Sequence, residues 1–404
     1  VKSKGGMQVK RLPALWASPA QAIFYVTLLL CAIGTVNIFS ASFVTAGREW
    51  QDSYFFLKRQ GFAMAIGIMG MVVLARLDYR RYHKPLAILL SAGTLIALAL
   101  VPVIGVEVNG ARRWLNLGFS FQPSEFAKLS ALMVSAVYLG WRVDKGRPVS
   151  FLSWPIVVTI MMAALIHHQP DMGTAIVVGM LCIVVYILAG APPKQWLGLG
   201  LVGSVLAVAM VFSAPYRKVR IEAWLDPWAY QQDKGYQAVQ ALMAIGSGQL
   251  SGTGLGMGAS KFFYLPEAHT DFAFAVLSQE WGFIGAIIVL GLFSLLGWYG
   301  LQIALRAPDG SGMLLAGGVT ALVVGQAVGN MAMVCGLLPV TGVPLPYISF
   351  GGTSLMVNLI ATGILISVGR KANLAISRPN DPEPQPELER RGRRRLRLVD
   401  HPGV

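Results

Sequence analysis

The chain has 404 residues, 55% of them hydrophobic and only 13% charged, with a formal net charge of +14. Soluble domains carry about a quarter of their residues as charges, so this composition, with a mean hydropathy of +0.59, excludes a soluble globular protein and defines an integral membrane protein. The apolar runs reach the roughly 20 residues a helix needs to cross the hydrocarbon and lack the short alternation of a transmembrane β-barrel, so the expected class is an all-α polytopic membrane protein.

In chain order, a segment 1–18 containing Lys2, Lys4, Lys10 and Arg11 precedes an apolar run over 19–44. That run exceeds the ~7–15 residues of a signal-peptide core and reads as an anchor that stays, with Met7 available as an alternative initiator. Further runs at 60–75, 85–105, 123–141, 150–167, 172–191, 194–213, 272–304, 312–338 and 349–369 bring the expected count to ten transmembrane helices. Arg76, Arg80, Arg81 and Lys84 follow the second run, Arg142, Lys145 and Arg147 the fourth, Lys194 the sixth and Arg306 the eighth. Short basic connectors mark the cytoplasmic side, so both termini are expected there, as is a basic tail over 370–404 too rich in Pro and charge to bury a core. The domain expected between them is the ten-helix unit 19–369. These positive residues lie in loops and tails without an aromatic-interleaved basic face, which excludes nucleic acid as the partner. Cys31, Cys182 and Cys335 lie within apolar runs without metal or disulfide spacing and are expected to be small core residues.

The outward connectors then comprise 45–59, 106–122, 168–171, 214–271 and 339–348, with the large extracytoplasmic loop 214–271 between helices seven and eight. Arg112, Arg113 and Trp114 form a cationic, ring-bearing trio in the second connector. Glu125 and Lys128 stand three apart in the first turns of a span, where an ionic side chain is either a functional group or a structural pair. His167, His168 and Asp171 fall in a short turn; two adjacent histidines suit a hydrogen-bonded re-entrant turn better than a metal site. Arg217 and Arg220, also three apart, present one cationic face on a helix, suited to a phosphate or to lipid head groups. The glycines of 246–258 suit a bent lid and lack the preceding strand of a nucleotide loop. Asp271, after Pro266, Glu267 and His269, stands at the edge of an apolar run. There it is either a helix cap or a partly desolvated carboxylate with a raised pKa, poised as a general base. The last connector, rich in Pro, leads to Gly351 and Gly352, with Ser349 and Thr353 able to hydrogen-bond a polar group.

Taken together, ARRWLNLGFSFQPSEFAKLS, QPDMGTA, PYRKVRIEAWLDPW, GYQAVQALMAIGSGQLSGTGLGMG, YLPEAHTDFAFAVLSQEWGF and LPVTGVPLPYISFGGTSL resemble, in order, the SEDS family (shape, elongation, division and sporulation proteins, the FtsW/RodA/SpoVE group), with wording more like its division or sporulation branch than its elongation branch and nearest the division one, an elongation- or sporulation-type polymerase being the alternative. The resemblance implies a peptidoglycan glycosyltransferase that polymerises lipid II at the outer face of the bacterial cytoplasmic membrane, at the division septum, beside a class B penicillin-binding protein and other divisome membrane proteins. It places the catalytic aspartate on Asp271. Arg113, Glu125, Lys128 and Arg217 become family positions, with Arg220, Glu267, His269, Ser349 and Thr353 as further substrate-binding residues. No dedicated metal ligands are expected, although a divalent cation (Mg or Mn) would suit a pyrophosphate leaving group. The rival expectation is a transporter of the same lipid, which would call for charges near the bilayer midplane at broken helices.

Overall fold

The computed structural model describes residues 18–108, 111–116, 120–212, 215–259 and 264–376. Ser18 accepts a hydrogen bond from the Gln21 N–H and Pro19 occupies the first turn, so α1 begins where its apolar run does and spans Pro19–Glu49. There follow α2 (Phe55–Arg76), α3 (Tyr79–Ile104), α4 (Pro123–Asp144), α5 (Trp154–His168), α6 (Met172–Leu188) and α7 (Pro193–Phe212). The second half comprises α8 (Pro215–Leu225), α9 (Tyr236–Gly248), α10 (Ala273–Leu305), α11 (Gly310–Val334) and α12 (Gly352–Ile376). Among the described residues, α1, α2, α3, α10, α11 and α12 are long and apolar enough to cross a membrane, and α5 and α6 are shorter apolar helices. Each of the ten expected runs coincides with a helix, and the polar stretch 214–271 adds α8 and α9. The last helix runs on to Ile376, beyond the expected end at 369; residues 1–17 and 377–404, including most of the expected tail, lie outside the described residues.

The all-α expectation needs a correction. Between α3 and α4 lie β1 (Val106–Val108), β2 (Ala111–Asn116) and β3 (Ser120–Phe121), paired antiparallel in the order β1-β2-β3. Val108 pairs with Ala111 and Glu107 with Arg112, and the sequence between the strands is Asn109-Gly110, the strongest short hairpin signal.

Helix α4 is enclosed by α3, α5, α6, α11 and α12. Its Ala127, Ser130, Ala131, Ser135 and Ala136 are buried, and small residues let neighbouring helices approach closely where lipid supplies no hydrophobic drive between them. Enclosure frees α4 from presenting an apolar surface to lipid, which is why it can carry Glu125 and Lys128. Cys31 and Cys182 are buried as expected, whereas Cys335 is exposed, at the C-cap of α11 where the helix stops.

Helix α10 is broken at Gly282, where φ is 68° and ψ −166°. The segment after α9 fills the break. The N–H groups of Thr253 and Gly254 donate to the carbonyls of Gln279 and Glu280 at 3.0 and 3.1 Å, and those of Phe283 and Ile284 donate to Gln249 and Leu250 at 2.9 and 3.2 Å. The carbonyls of Gln279 and Glu280 and the N–H groups of Phe283 and Ile284, released by the kink, thus meet other backbone groups, as a buried break in a helix requires.

Candidate active site

The site is built around the turn that leads into α10. Glu267 takes a positive φ of 54°, and its carbonyl accepts the N–H groups of Thr270 and Phe272, both at 3.2 Å. Thr270 turns its hydroxyl back onto the Glu267 carboxylate at 2.8 Å. The cap position of α10 falls to Phe272, which makes no side-chain cap bond. Neither Thr270 nor Asp271 is therefore the helix cap. Among the described residues the Asp271 carboxylate receives no hydrogen bond, while its main-chain carbonyl accepts one from Asn330 Nδ2 at 2.8 Å.

The surroundings of that carboxylate disfavour its charge. Desolvation is the largest influence; the nearby carboxylates of Glu267 and Asp171 add to it and Arg113 opposes it, leaving the Asp271 pKa raised to about 7. His269 packs its ring against Phe56 and Phe350, with centroids 4.4 and 5.6 Å apart. Burial lowers its pKa, against the pull of Glu267, and so favours the neutral ring. The His269 carbonyl accepts the Phe350 N–H at 2.8 Å, tying this turn to the start of α12.

Arg113, on β2, donates from Nε to the Gln169 carbonyl at 3.2 Å and from its terminal nitrogen to the carbonyl of Pro170. The guanidinium thereby braces the turn between α5 and α6, whose next residue is Asp171. Asp171 caps α6 through Thr174 N–H at 3.2 Å and accepts from Ser124 Oγ at 3.2 Å and Gln122 Nε2 at 3.4 Å. Sequence reasoning assigned Asp171 only to a re-entrant turn; its place beside Asp271 depends on contacts between distant parts of the chain. A cavity of about 200 Å³ lies against this turn, lined by Pro102, Ala111, Arg112, His168, Gln169 and Pro170. Arg112 itself faces Glu107 at 3.4 Å across the hairpin.

Glu125 and Lys128 form a buried pair, 2.8 Å apart and 3% and 1% exposed. The ammonium also donates to Gln326 Oε1 on α11 at 2.6 Å, and Gln326 reaches Asn358 on α12 at 3.5 Å. Gln326 and Asn330 are four residues apart, hence on one face of α11. That face joins the Lys128 pair to the Asp271 turn. The sequence signal for both was their polarity within an apolar run, which marks functional positions in membrane helices.

Thr353 donates to the Ser120 carbonyl at 3.2 Å and accepts the Gln122 N–H at 3.2 Å, joining α12 to the strand β3 that enters α4. Ser349 Oγ accepts the Leu345 N–H at 3.0 Å, and its carbonyl accepts from Gln60 at 3.3 Å. Both hydroxyls thus shape the turn before α12. Arg217 and Arg220 lie on α8, but their side chains lie outside the described residues. Among the described residues no three His, Cys, Asp or Glu side chains gather as a metal-ion site.

A polytopic helical membrane protein with a carboxylate of raised pKa at the mouth of a span is the class that fold and site define. A family model described as "Cell cycle protein", covering FtsW, RodA and SpoVE, matches residues 20–374, and the chain belongs to that family. It is 42% identical over 361 residues to "Stage V sporulation protein E" of Bacillus subtilis (strain 168), covering 87% of this chain and 97% of the relative. With "Probable peptidoglycan glycosyltransferase FtsW" of Geobacter sp. (strain M18) it is 40% identical over 354 residues, covering 86% and 96%. A solved structure described as "Structural coordination of polymerization and crosslinking by a peptidoglycan synthase complex" matches with a TM-score of 0.72 at 31% identity, covering 88% of this chain and 99% of the other. The crystal structure of the rod shape determining protein RodA of Thermus thermophilus matches at 0.64 and 31%, covering 89% and 99%.

Proposed function

We propose that the protein is a peptidoglycan glycosyltransferase that polymerises lipid II with Asp271 as general base. The observation that carries this reading is the Asp271 carboxylate itself: it is relieved of capping and has a pKa raised to about 7 by desolvation and neighbouring carboxylates. A base is most effective when its pKa lies near the working pH. Asp271 takes the proton of the acceptor sugar's 4-hydroxyl as that oxygen bonds to the donor's anomeric carbon. The bond from that carbon to the lipid pyrophosphate breaks, and its electron pair leaves with the phosphate.

The leaving pyrophosphate calls for cations. In this reading Arg217 and Arg220, on one face of α8, hold it, a guanidinium matching two phosphate oxygens at once. Arg113 and the Glu125–Lys128 pair set the walls, and Glu267, His269, Ser349 and Thr353 shape the rim. Among the described residues no three His, Cys, Asp or Glu side chains gather as a ligand set for Mg or Mn, and no step is routed through a metal. All ten apolar helices cross the bacterial cytoplasmic membrane with both termini inside and α8 and α9 in the outer loop, so Asp271 meets the sugars while the lipid tail stays in the bilayer. We place the enzyme in septum synthesis, beside a class B penicillin-binding protein and other divisome membrane proteins; support comes from relatives of the division and sporulation types and from the likeness to a synthase complex.

Lipid transport gains one observation, the break in α10 beside the buried Glu280. Protein backbone fills that break, which favours a closed joint over a transport path. The deciding experiment measures glycan strands made from purified lipid II, in a moenomycin-insensitive assay with the partner transpeptidase present. Asp271→Asn is expected to lower the rate by about 10²–10⁴-fold, the usual worth of a general base. Parent-like synthesis by that variant would overturn the assignment.

A further inference from the structure

We infer that Asn330 is the positioning residue for Asp271, a single amide that joins the turn carrying the base to the turn between α11 and α12. This rests on the proposed role of Asp271. Hydrogen bonding in α10 starts at the Phe272 carbonyl, which accepts the Ala275 N–H at 2.9 Å and that of Val276 at 3.4 Å. The Asp271 carbonyl is left outside this ladder, and a part-buried carbonyl without a donor is unfavourable. Asn330, fully buried at 0% exposure on α11, places Nδ2 2.8 Å from that carbonyl and 2.8 Å from the carbonyl of Val343 in the turn between α11 and α12.

The two acceptors settle the orientation of the amide, since a flipped group would set Oδ1 against two carbonyl oxygens. They also narrow the residue type. A neutral side chain must offer two hydrogens from one atom, which among short side chains only a carboxamide does. A second asparagine, on another helix, makes a like contact: Asn37 on α1, 1% exposed, donates to the Ala273 carbonyl at 2.9 Å. The main chain on either side of Phe272 is therefore held by side chains from two other helices. Asp271 makes no side-chain hydrogen bond of its own among the described residues, so the placement of its carboxylate depends on its main chain being held.

A group displaced by about 1 Å can cost on the order of 10²-fold in rate. For Asn330→Leu we expect kcat for purified lipid II to fall about 10- to 100-fold while KM stays within about 3-fold. The Asp271 titration, read by infrared difference spectra between each protein and its own Asp271→Asn counterpart, should move down from about 7 as the freed carboxylate gains water. Asn330→Gln, which keeps the donors, should recover part of both. A purely structural role would lower folded yield and leave kcat, KM and the titration of the folded fraction at parent values, and that result would overturn the inference. If the leucine variant does not fold, Asn330→Thr, with one donor, is read the same way. Activity surviving Asp271→Asn would sink the base assignment alone, because the infrared titration still reports whether Asn330 positions Asp271.

Discussion

Helix α10 leaves regular geometry at two places, and the two are held by different means. At Gly282 the released backbone groups meet the backbone of residues 249–254. Around Asp271, besides backbone bonds of the turn, the side chains of Asn330 and Asn37 hold the carbonyls of Asp271 and Ala273. A joint made of backbone has no room for added atoms but is indifferent to nearby side-chain chemistry. A turn gripped by side chains leaves the carboxylate between its grips free for other work, and single substitutions can disturb it.

The most severe way to break the comparison is Gly282→Ala. A Cβ there would overlap the Gly252 nitrogen and the Leu250 carbonyl, at a φ of +68° that disfavours every L side chain. Folded, monodisperse protein in detergent should be nearly absent, and Gly252→Ala, which meets the Glu280 carbonyl at a φ of +83°, should behave alike. A parent-like melting temperature for either would show that the joint yields.

Next in size is the buried pair. Lys128→Met or Glu125→Leu alone strands an unpaired charge and should cost about 3–5 kcal/mol in thermal or denaturant unfolding. The double change should restore most of the folded yield, because removing both charges removes the stranded one. Strand synthesis should stay low in the refolded double variant if the pair serves the site; normal synthesis would make it purely structural.

The smallest effects concern the charges around Asp271. The rate should rise with pH through an acid limb near 7, since the proposed base acts when deprotonated. Glu267→Gln or Asp171→Asn should move the limb down, and Arg113→Ala should move it up, because the first two residues raise the Asp271 pKa and the third lowers it. Stability provides a check independent of the reaction. The folded-state pKa lies above the ordinary 3.8, so this group's stabilisation is complete below that value and is lost as pH rises through about 7. Asp271→Asn should therefore gain more melting temperature over the parent at pH 8 than at pH 5. An equal gain at both would mean that the carboxylate is not desolvated.

How much of this was legible varied with the range of the interactions concerned. The helix positions followed from the apolar runs because length and hydropathy act locally; even the start of α1 could be read from Ser18 and Pro19. The hairpin before α4 was missed although Asn109-Gly110 signalled it, since in an oily chain the apolar runs drew the reading. Asp271 stood out by its position at the edge of a span. Its choice between cap and free carboxylate did not, because that depended on where the Thr270 hydroxyl turned and on Phe272 taking the cap position.

By itself the sequence determined a polytopic helical membrane protein and its family, and singled out Asp271, Glu125 and Lys128 as candidates, because composition, run length and motif order are properties of the chain alone. Tertiary structure decided which distant groups meet. It set Asp171 and Arg113 beside Asp271, placed Gln326 on Lys128, joined two carbonyls through Asn330 and closed the α10 break with residues 249–254. The physical reason is that pKa and hydrogen-bond satisfaction depend on what burial brings within a few ångströms, and here the partners lie on helices far apart in the chain.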